Sequence, residues 1–177
     1  MDITLDAALY GLAAVVNRCG VICGPWQMGK VDQGFVGLWL ARHVFGGRLA
    51  YMGYDGAGTQ VRDLFHVADL CRLIDMQITG GERYIGKTYN VGGGPELSVS
   101  LRELTVHCRA LTGNAIEIGK VPETSAADVP YYVTDAARVR AEAGWRPEHS
   151  LAATLADIHK WLVDNRTALA PIFTAGS

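Results

Sequence analysis

The stretch Gln60-Val61-Arg62-Asp63 contains the side chains of this chain that are most informative about ligand binding. In an extended strand, Gln60 and Arg62 lie on one face, and the other two residues lie on the opposite face. An arginine fixed on a strand can present its planar fork to a diphosphate through two charge-assisted hydrogen bonds. The alternative is an ion pair from Arg62 to Asp63, Asp69 or another local carboxylate. Spacing alone favours the ion pair.

Three further polar residues lie in or at the end of apolar strand-like segments. Asn17 and Arg18 belong to residues 13–19, whose small and β-branched residues are typical of a strand covered on both faces. Polar side chains in such a strand must find hydrogen-bond partners. Asn90 ends another strand-like segment just before three glycines, where it could serve a ligand or brace the turn.

Two glycine clusters resemble nucleotide-binding loops only superficially. The segment YNVGGGPELS follows a strand and precedes a helix, but its glycines are contiguous, and no acidic residue ends a second strand at the expected distance. A tight turn that requires positive φ is therefore the favoured interpretation. The segment GYDGAG, residues 53–58, lies between two strand-like segments and predicts a hairpin-like turn. Neither cluster indicates a cofactor-binding domain.

Strand-like and helix-like segments alternate along the chain, which predicts an α/β fold. The predicted strands are residues 13–19, 49–54, 60–64, 87–91, 116–118 and 131–134. The predicted helices are residues 2–11, 30–45, 66–78, 98–112, 135–143 and 150–165. Ser100 and Glu103 match the capping box that begins a helix. Residues after Arg166 are expected to fray.

Composition limits the function classes. The chain has 177 residues, 49% of them hydrophobic, and a formal charge of -2, which fits one globular domain and argues against nucleic acid as a partner. No secretory signal or membrane-spanning segment is apparent, so no membrane partner is expected and a cytoplasmic protein is the default expectation. Cys19 and Cys23 have no neighbouring Cys or His to complete a metal site, so buried thiols are favoured.

Four segments taken together resemble one family. They are VVNRCGVICGPWQMGKVDQG, GTQVRDLFHVADL, KTYNVGGG and AGWRP, in that order. This set resembles the extended short-chain dehydrogenase/reductase family of sugar-nucleotide epimerases and dehydratases. Within it, Asn-Arg-Cys-Gly before Gly-Pro-Trp-Gln is most similar to the CDP-tyvelose (CDP-paratose) 2-epimerases.

The resemblance implies a Rossmann-type fold that binds NAD, with a smaller C-terminal domain that holds the nucleotide-sugar. Family members oxidise a sugar carbinol to a ketone and return the hydride to the opposite face, with a Tyr-x-x-x-Lys pair as the base. The chain is therefore expected to be the C-terminal, substrate-binding portion, with one or two leftover parallel strands. The implied division is a Rossmann remnant (1–29), a substrate-binding domain (30–166) and a disordered tail (167–177).

The resemblance also implies site residues by position. The implied substrate-binding residues are Asn17, Trp26, Gln27, Lys30, Tyr54, Arg62 and Asn90. The implied cofactor-binding residues are Cys19, Gly20 and Val21. Residues 52–54 fall where the family cradles the base. Core strand, turn and helix start remain the alternative interpretations of these positions.

The chain departs from the family pattern in three places. Four residues after Tyr10 stands Ala14, where a catalytic pair would have lysine, and the G-x-x-G-x-x-G loop is absent. The family's Arg-Pro-x-Asp is replaced by Ser-Ala-Ala-Asp at residues 125–128, which removes an expected cationic contact. No catalytic residue is therefore assigned, and the chain alone is expected to bind no NAD and to be inactive.

Three hypotheses follow. The chain is the substrate-binding part of an NAD-dependent nucleotide-sugar epimerase acting on a CDP-sugar, or a nucleotide-sugar binding module or split-enzyme subunit, or a structural remnant. The strand at residues 13–19 would ordinarily pair within a sheet that this chain does not encode. An open apolar edge favours association, so the expected partner is a missing Rossmann half or a second copy of the chain.

Overall fold

The computed structural model describes residues 9–28 and 34–174. The strands are β1 (Val16–Cys19), β2 (Val21–Cys23), β3 (Leu49–Met52), β4 (Val61–His66), β5 (Thr88–Val91), β6 (Ser98–Ser100), β7 (Ile118–Val121) and β8 (Tyr131–Tyr132). The helices are α1 (Phe35–Phe45), α2 (Val67–Gly80), α3 (Leu101–Thr112), α4 (Ala137–Ala143), α5 (Leu151–Asp164) and α6 (Arg166–Thr174). This arrangement confirms the predicted α/β class.

Strand β4 is the centre of the strand pairing. It pairs in parallel with β2 and with β8, and antiparallel with β6. Strand β1 pairs in parallel with β5, and β3 pairs in parallel with β7. The predominance of parallel pairs is what the alternation of strands and helices predicts.

Helix boundaries follow local capping chemistry. The Ser100 side chain accepts from the Glu103 backbone N–H, and the Glu103 carboxylate accepts from the Ser100 backbone N–H, so the predicted capping box is present. Gly113 ends α3 with φ 73°, and Gly11 has φ 64° where a helix end is predicted. Residues 2–8 of that predicted helix lie outside the described part of the chain.

Two hydrophobic clusters flank β4. The first unites α1, α3, α5 and α6, and Leu64 of β4 packs into it. The second contains Phe65 of β4, whose ring meets Trp145 edge-on at 6.1 Å between centroids. Successive residues of β4 therefore belong to different clusters, as the alternation of a strand between two layers requires.

The expectation of a disordered tail from residue 167 is wrong up to Thr174. Residues Arg166–Thr174 form α6, and its buried residues Leu169 and Phe173 are spaced four apart on one face. The Phe173 ring stacks on Phe45 at 5.8 Å between centroids. Residues 175–177 lie outside the described part of the chain.

The predicted boundary between residues 29 and 30 stays a prediction, because residues 29–33 are not described. The prediction of a hairpin at residues 53–58 is wrong. Strands β3 and β4 pair with other strands, and Tyr54–Gly56 forms a 3-10 turn between them. Within the described ranges, no helix has the length and apolar character needed to cross a membrane.

Candidate functional site

Strand β4 holds Arg62 at a partly exposed position where its guanidinium has protein partners. Its side chain retains 20% exposure, and Nη2 lies 2.8 Å from Asp128 Oδ1. Nη1 donates to the backbone oxygen of Val61 at 2.8 Å. The predicted ion pair therefore exists, but the expectation of a local partner is wrong, because the carboxylate comes from 66 residues further along the chain.

Two more side chains surround this ion pair. Gln60 Nε2 donates to the Met52 backbone oxygen and lies 3.4 Å from Asp128 Oδ2. The Tyr54 hydroxyl donates to the Asp128 backbone oxygen at 3.0 Å, and the Tyr54 N–H donates to Thr124 Oγ1. We call Tyr54, Gln60, Arg62 and Asp128 the Arg62 site. Gln60 was not predicted as a site residue, although its placement on the Arg62 face follows from strand alternation.

The Arg62 site can bind an anion only if the anion displaces the Asp128 carboxylate from Arg62. One guanidinium and one carboxylate offset each other, so a diphosphate must compete with Asp128 for Nη2. The Asp128 side chain is 30% exposed, and an ion pair at such exposure is worth about 1 kcal/mol or less. A dianionic ligand with two oxygens for the planar fork is therefore able to displace it.

A large cavity adjoins the Arg62 site through Met52. It has a volume of about 590 Å³ and an apolar floor that includes Phe35, Leu38 and Trp39. Its charged lining residues are Arg42, Arg48, Glu117 and Lys120. Met52 lines the cavity and its backbone oxygen accepts from Gln60, so this residue links the cavity to the Arg62 site.

The opposite face of β4 is closed. Asp63 is 0% exposed, and its carboxylate accepts from the Gly94 N–H at 3.0 Å and from Thr134 Oγ1 at 3.2 Å. A Cβ at Gly92 would lie 2.4 Å from Asp63 Oδ2, so only glycine permits this approach. The prediction of positive φ in the triple glycine holds at Gly94, with φ 70°. Alternation placed Asp63 opposite Arg62, but its acceptor role was not predicted.

Asn17 and Asn90 lie in the paired strands β1 and β5. The Asn17 amide exchanges two hydrogen bonds with Gln77, at 2.8 and 2.9 Å, which satisfies the predicted need for a partner. Asn90 is exposed and stands opposite Arg18 in the β1–β5 register. The structure therefore leaves Asn90 available to a ligand and occupies Asn17 with a protein partner.

The loop after β2 carries two more predicted residues. Trp26 is 73% exposed with φ 69°, and its ring centroid lies 5.8 Å from that of Trp161. Gln27 Nε2 donates to the Ile22 backbone oxygen at 3.1 Å, so this side chain closes its own loop. Lys30 lies outside the described residues. Substrate contact by these residues stays a prediction.

The predicted cofactor-binding residues face the interior. Cys19 packs against the second hydrophobic cluster and Val21 against the first. A Cβ at Gly20 would lie 2.7 Å from Thr134 Oγ1 and 3.2 Å from Asp63 Oδ1. Burial raises the pKa of the Cys19 thiol. The Cys19 thiol donates to the Asn17 backbone oxygen at 3.8 Å, and Gly20 has no side chain. Cofactor contact by these three residues stays a prediction.

The end of β4 carries a histidine that spacing did not single out. His66 Nδ1 accepts from the Ala68 N–H, which caps α2, and its ring stacks on His149 at 4.3 Å between centroids. Burial, and secondarily the neighbouring His149, lower the pKa of His66, although Asp157 and Asp69 oppose the shift. His66 thus serves as a neutral helix cap.

Comparison with known proteins settles the family. The model of the NAD dependent epimerase/dehydratase family matches residues 3–92, which is 90 of the 177 residues. The chain belongs to this family. The family predicted from the four sequence segments is therefore confirmed.

The curated relatives include a dTDP-glucose 4,6-dehydratase of Streptomyces niveus, 29% identical over 92% of this chain and 46% of the relative. A UDP-glucose 4-epimerase of Corynebacterium glutamicum is 27% identical over 88% of this chain and 49% of the relative. The chain spans about half the length of the curated relatives it matches. The relatives' names contain dTDP- and UDP-sugars, so the narrower resemblance to CDP-tyvelose 2-epimerases stays a prediction.

Solved structures share the fold. The dTDP-glucose 4,6-dehydratase DesIV of Streptomyces venezuelae, solved with NAD, superposes with a TM-score of 0.78 at 30% identity. That match covers 96% of this chain and 49% of DesIV. The UDP-glucose 4-epimerase of Thermotoga maritima, solved with UDP-glucose, also gives a TM-score of 0.78, at 23% identity over 93% of this chain and 50% of that structure.

Proposed function

We propose that this chain is the nucleotide-sugar-binding part of an NAD-dependent epimerase or dehydratase. The observation that carries the proposal is Arg62, which lies on a strand near the 590 Å³ cavity and whose ion-pair partner is a partly exposed carboxylate. The names of the relatives include UDP-glucose and dTDP-glucose, and both of these sugars carry a diphosphate. These names support a ligand with a diphosphate.

In this proposal the ligand extends across Met52. The diphosphate replaces Asp128 on the Arg62 fork, because two anionic oxygens match the guanidinium better than one carboxylate oxygen. The base enters the cavity beside Met52, where apolar side chains provide a face for a flat ring. The hydroxyl of Tyr54, which donates to the Asp128 backbone oxygen, lies beside the same ion pair.

We infer that the redox chemistry requires residues that this chain does not supply. Tyr10 is followed four residues later by Ala14, and the G-x-x-G-x-x-G loop is absent. NAD, when bound, accepts and returns the hydride in this family. The chain by itself is therefore expected to bind nucleotide-sugars, not NAD, and to turn over no substrate.

The exposed apolar residues near β1 support a partner that completes the fold. Leu9, Tyr10 and Leu12 are 67%, 75% and 53% exposed, and β1 has β5 as its paired strand among the described residues. Such an edge favours pairing with further polypeptide. We propose a Rossmann-type half as that polypeptide, with self-association as the alternative. Analytical ultracentrifugation that shows a monodisperse monomer, with little dye binding to apolar surface, would contradict both.

The narrower proposal is a CDP-sugar as ligand and 2-epimerisation as the reaction of the completed enzyme. It rests on Asn-Arg-Cys-Gly before Gly-Pro-Trp-Gln, at residues 17–27. Titration with CDP-, UDP- and dTDP-glucose distinguishes the base. Tighter binding of UDP- or dTDP-glucose than of CDP-glucose would overturn the CDP proposal and leave the wider proposal standing.

Isothermal titration calorimetry tests the function directly. Wild type is expected to bind a nucleotide-sugar and not NAD, and Arg62→Gln is expected to weaken the former about tenfold or more. Arg109→Gln is the matched control, since Arg109 is an exposed residue of α3 that donates to the Ile116 backbone oxygen. Equal affinity of wild type and Arg62→Gln, or binding of NAD to wild type, would contradict the proposal.

A further inference from the structure

A second, smaller cleft lies away from the Arg62 site. It has a volume of about 180 Å³ and is formed where the glycine loop after β5 meets α4 and the segment before α5. Its polar lining includes Arg140, Arg146, His149 and Ser150. We call it the Arg140 cleft.

Arg140 is the unusual member of this cleft. Its Nε is buried and has no hydrogen-bond partner, and within the described ranges its guanidinium has no ion pair. Nη2 lies against the glycine loop, 3.0 Å from the position of a Cβ at Gly94. A buried donor without a partner is costly, and such groups in folded proteins are usually satisfied by protein, by water or by a bound ion.

Arg138, on the same helix, shows the ordinary arrangement. It pairs with Glu142 at 2.9 Å, four residues along α4. Arg140 has no equivalent carboxylate, although it is less exposed than Arg138. The difference between the two arginines is therefore one of position, since only Arg140 faces the cleft.

The other charges of the cleft leave an excess of positive charge. Arg146 is exposed, and among the described residues its guanidinium has no partner. Of the two carboxylates in the lining, Glu148 pairs with Arg72 at 3.3 Å and is not free to neutralise the cleft. Glu96 is exposed and unpaired in the described structure. Two free guanidinium groups thus face one free carboxylate.

The remaining polar groups in the cleft suit an anion. His149 Nδ1 lies 3.1 Å from Asp69 Oδ2, which fixes the ring. The Ser150 hydroxyl oxygen accepts from the Ala153 N–H and keeps its own proton for donation. Two arginine forks and a hydroxyl donor form a set of hydrogen-bond donors that matches the oxygens of a phosphate group.

We propose that the Arg140 cleft binds a phosphate group, either inorganic phosphate or the monoester of a small sugar phosphate, independently of the Arg62 site. The two sites are separated by the closed Asp63 face of β4, which holds the Gly94 N–H at 3.0 Å. The volume admits one phosphate with part of an attached sugar, but not a nucleoside diphosphate.

Nuclear magnetic resonance on the full chain tests this site. Inorganic phosphate is titrated into the millimolar range at constant ionic strength, and the Arg140 Nε–Hε signal and the Gly93 and Gly94 amides are followed. Saturable shifts are expected in wild type. Arg140→Gln is expected to weaken binding about tenfold or more, and Arg140→Lys less, because lysine keeps the charge without the fork.

Arg138→Gln and Arg62→Gln are the controls, and both are expected to leave the Arg140 shifts unchanged. Ribose 5-phosphate is titrated in parallel, since tighter binding than inorganic phosphate identifies a sugar phosphate as the preferred source. Shifts that do not saturate, or that Arg140→Gln leaves intact, would overturn the proposal. Shifts that disappear in Arg62→Gln would place the phosphate at the Arg62 site, which also overturns it. Failure of nucleotide-sugar binding bears only on the proposed function.

Discussion

Arg62 and Asp63 are neighbours in sequence, yet the structure uses them in opposite ways. Arg62 keeps 20% exposure and pairs with a carboxylate that is itself 30% exposed. Asp63 is 0% exposed, and its carboxylate accepts hydrogen bonds from two neutral donors of distant segments, the Gly94 N–H and the Thr134 hydroxyl. One face of β4 is thus available to a ligand and the other is part of the interior.

The contrast shows why a charged pair in sequence need not be a charged pair in space. Strand alternation places Arg62 and Asp63 on opposite faces, so neither can satisfy the other. Each is satisfied by a segment far along the chain. Binding should therefore depend on the open face and folding on the closed one.

The largest expected effect is on the closed face. Asp63→Ala leaves the Gly94 N–H and the Thr134 hydroxyl without an acceptor in the interior, and should lower the free energy of unfolding by about 3 kcal/mol. Urea denaturation followed by circular dichroism measures this. Asp63→Asn, which keeps one acceptor oxygen, should lose less. A loss below about 1 kcal/mol in the alanine variant would contradict the role assigned to the closed face.

Overpacking the same face should lower the free energy of unfolding by somewhat less than Asp63→Ala does. Gly92→Ala places a Cβ 2.4 Å from Asp63 Oδ2, and the expected loss of stability is about 2 kcal/mol. Gly119→Ala is the control, because its Cβ would meet Ala50 Cβ at 3.5 Å, an ordinary contact. If both variants unfold at the same urea concentration, the approach of the glycine loop to Asp63 is not required for folding.

On the open face the effect on stability should be smaller still. Arg62→Gln removes a partly exposed ion pair and is expected to change the free energy of unfolding by about 1 kcal/mol or less. Its effect on nucleotide-sugar affinity should exceed its effect on folding. Denaturation and calorimetry on one preparation compare the two. A stability loss as large as that of Asp63→Ala would remove the distinction between the faces.

Asp128→Asn should sharpen the account of the open face. Without the competing negative charge, the fork should bind a nucleotide-sugar about two- to fivefold more tightly, since the ion pair is worth 1 kcal/mol or less. Calorimetry measures the change, and Asp164→Asn, another exposed carboxylate, is the control. Weaker binding would mean that Asp128 contacts the ligand itself.

The end of β4 should add a weak dependence on pH. The folded pKa of His66 lies below its ordinary value of 6.5, so between these two values the unfolded chain binds more protons. Stability from this group is therefore complete above about 6.5 and declines as pH falls toward the folded pKa. His43, whose pKa burial also lowers, contributes with the same sign. His66→Asn, which retains a cap acceptor, should reduce the slope of the free energy of unfolding against pH below about 6.5. An unchanged slope would contradict this.

Local chemistry explains what the sequence predicts well. The capping box of Ser100 and Glu103 and the glycine that ends α3 depend on residues within one turn, so their positions follow from spacing. The faces of β4 follow from alternation in the same way. The family was recognisable because several such segments occur in order.

Long-range contacts explain what was missed. Asp128 approaches Arg62 only because β8 pairs beside β4, and no local pattern indicates that pairing. The acceptor role of Asp63 depends on Gly94 and Thr134 in the same way. Helix α6 escaped prediction because its stability comes from Phe173 docking on Phe45, far along the chain.

The division of Leu64 and Phe65 between two hydrophobic clusters has a consequence for how this protein can evolve. A single inserted or deleted residue in β4 would exchange the two clusters' occupants and also turn Arg62 inward and Asp63 outward. Loss of binding and loss of folding would then arise from one genetic event. We expect length changes to be excluded from β4.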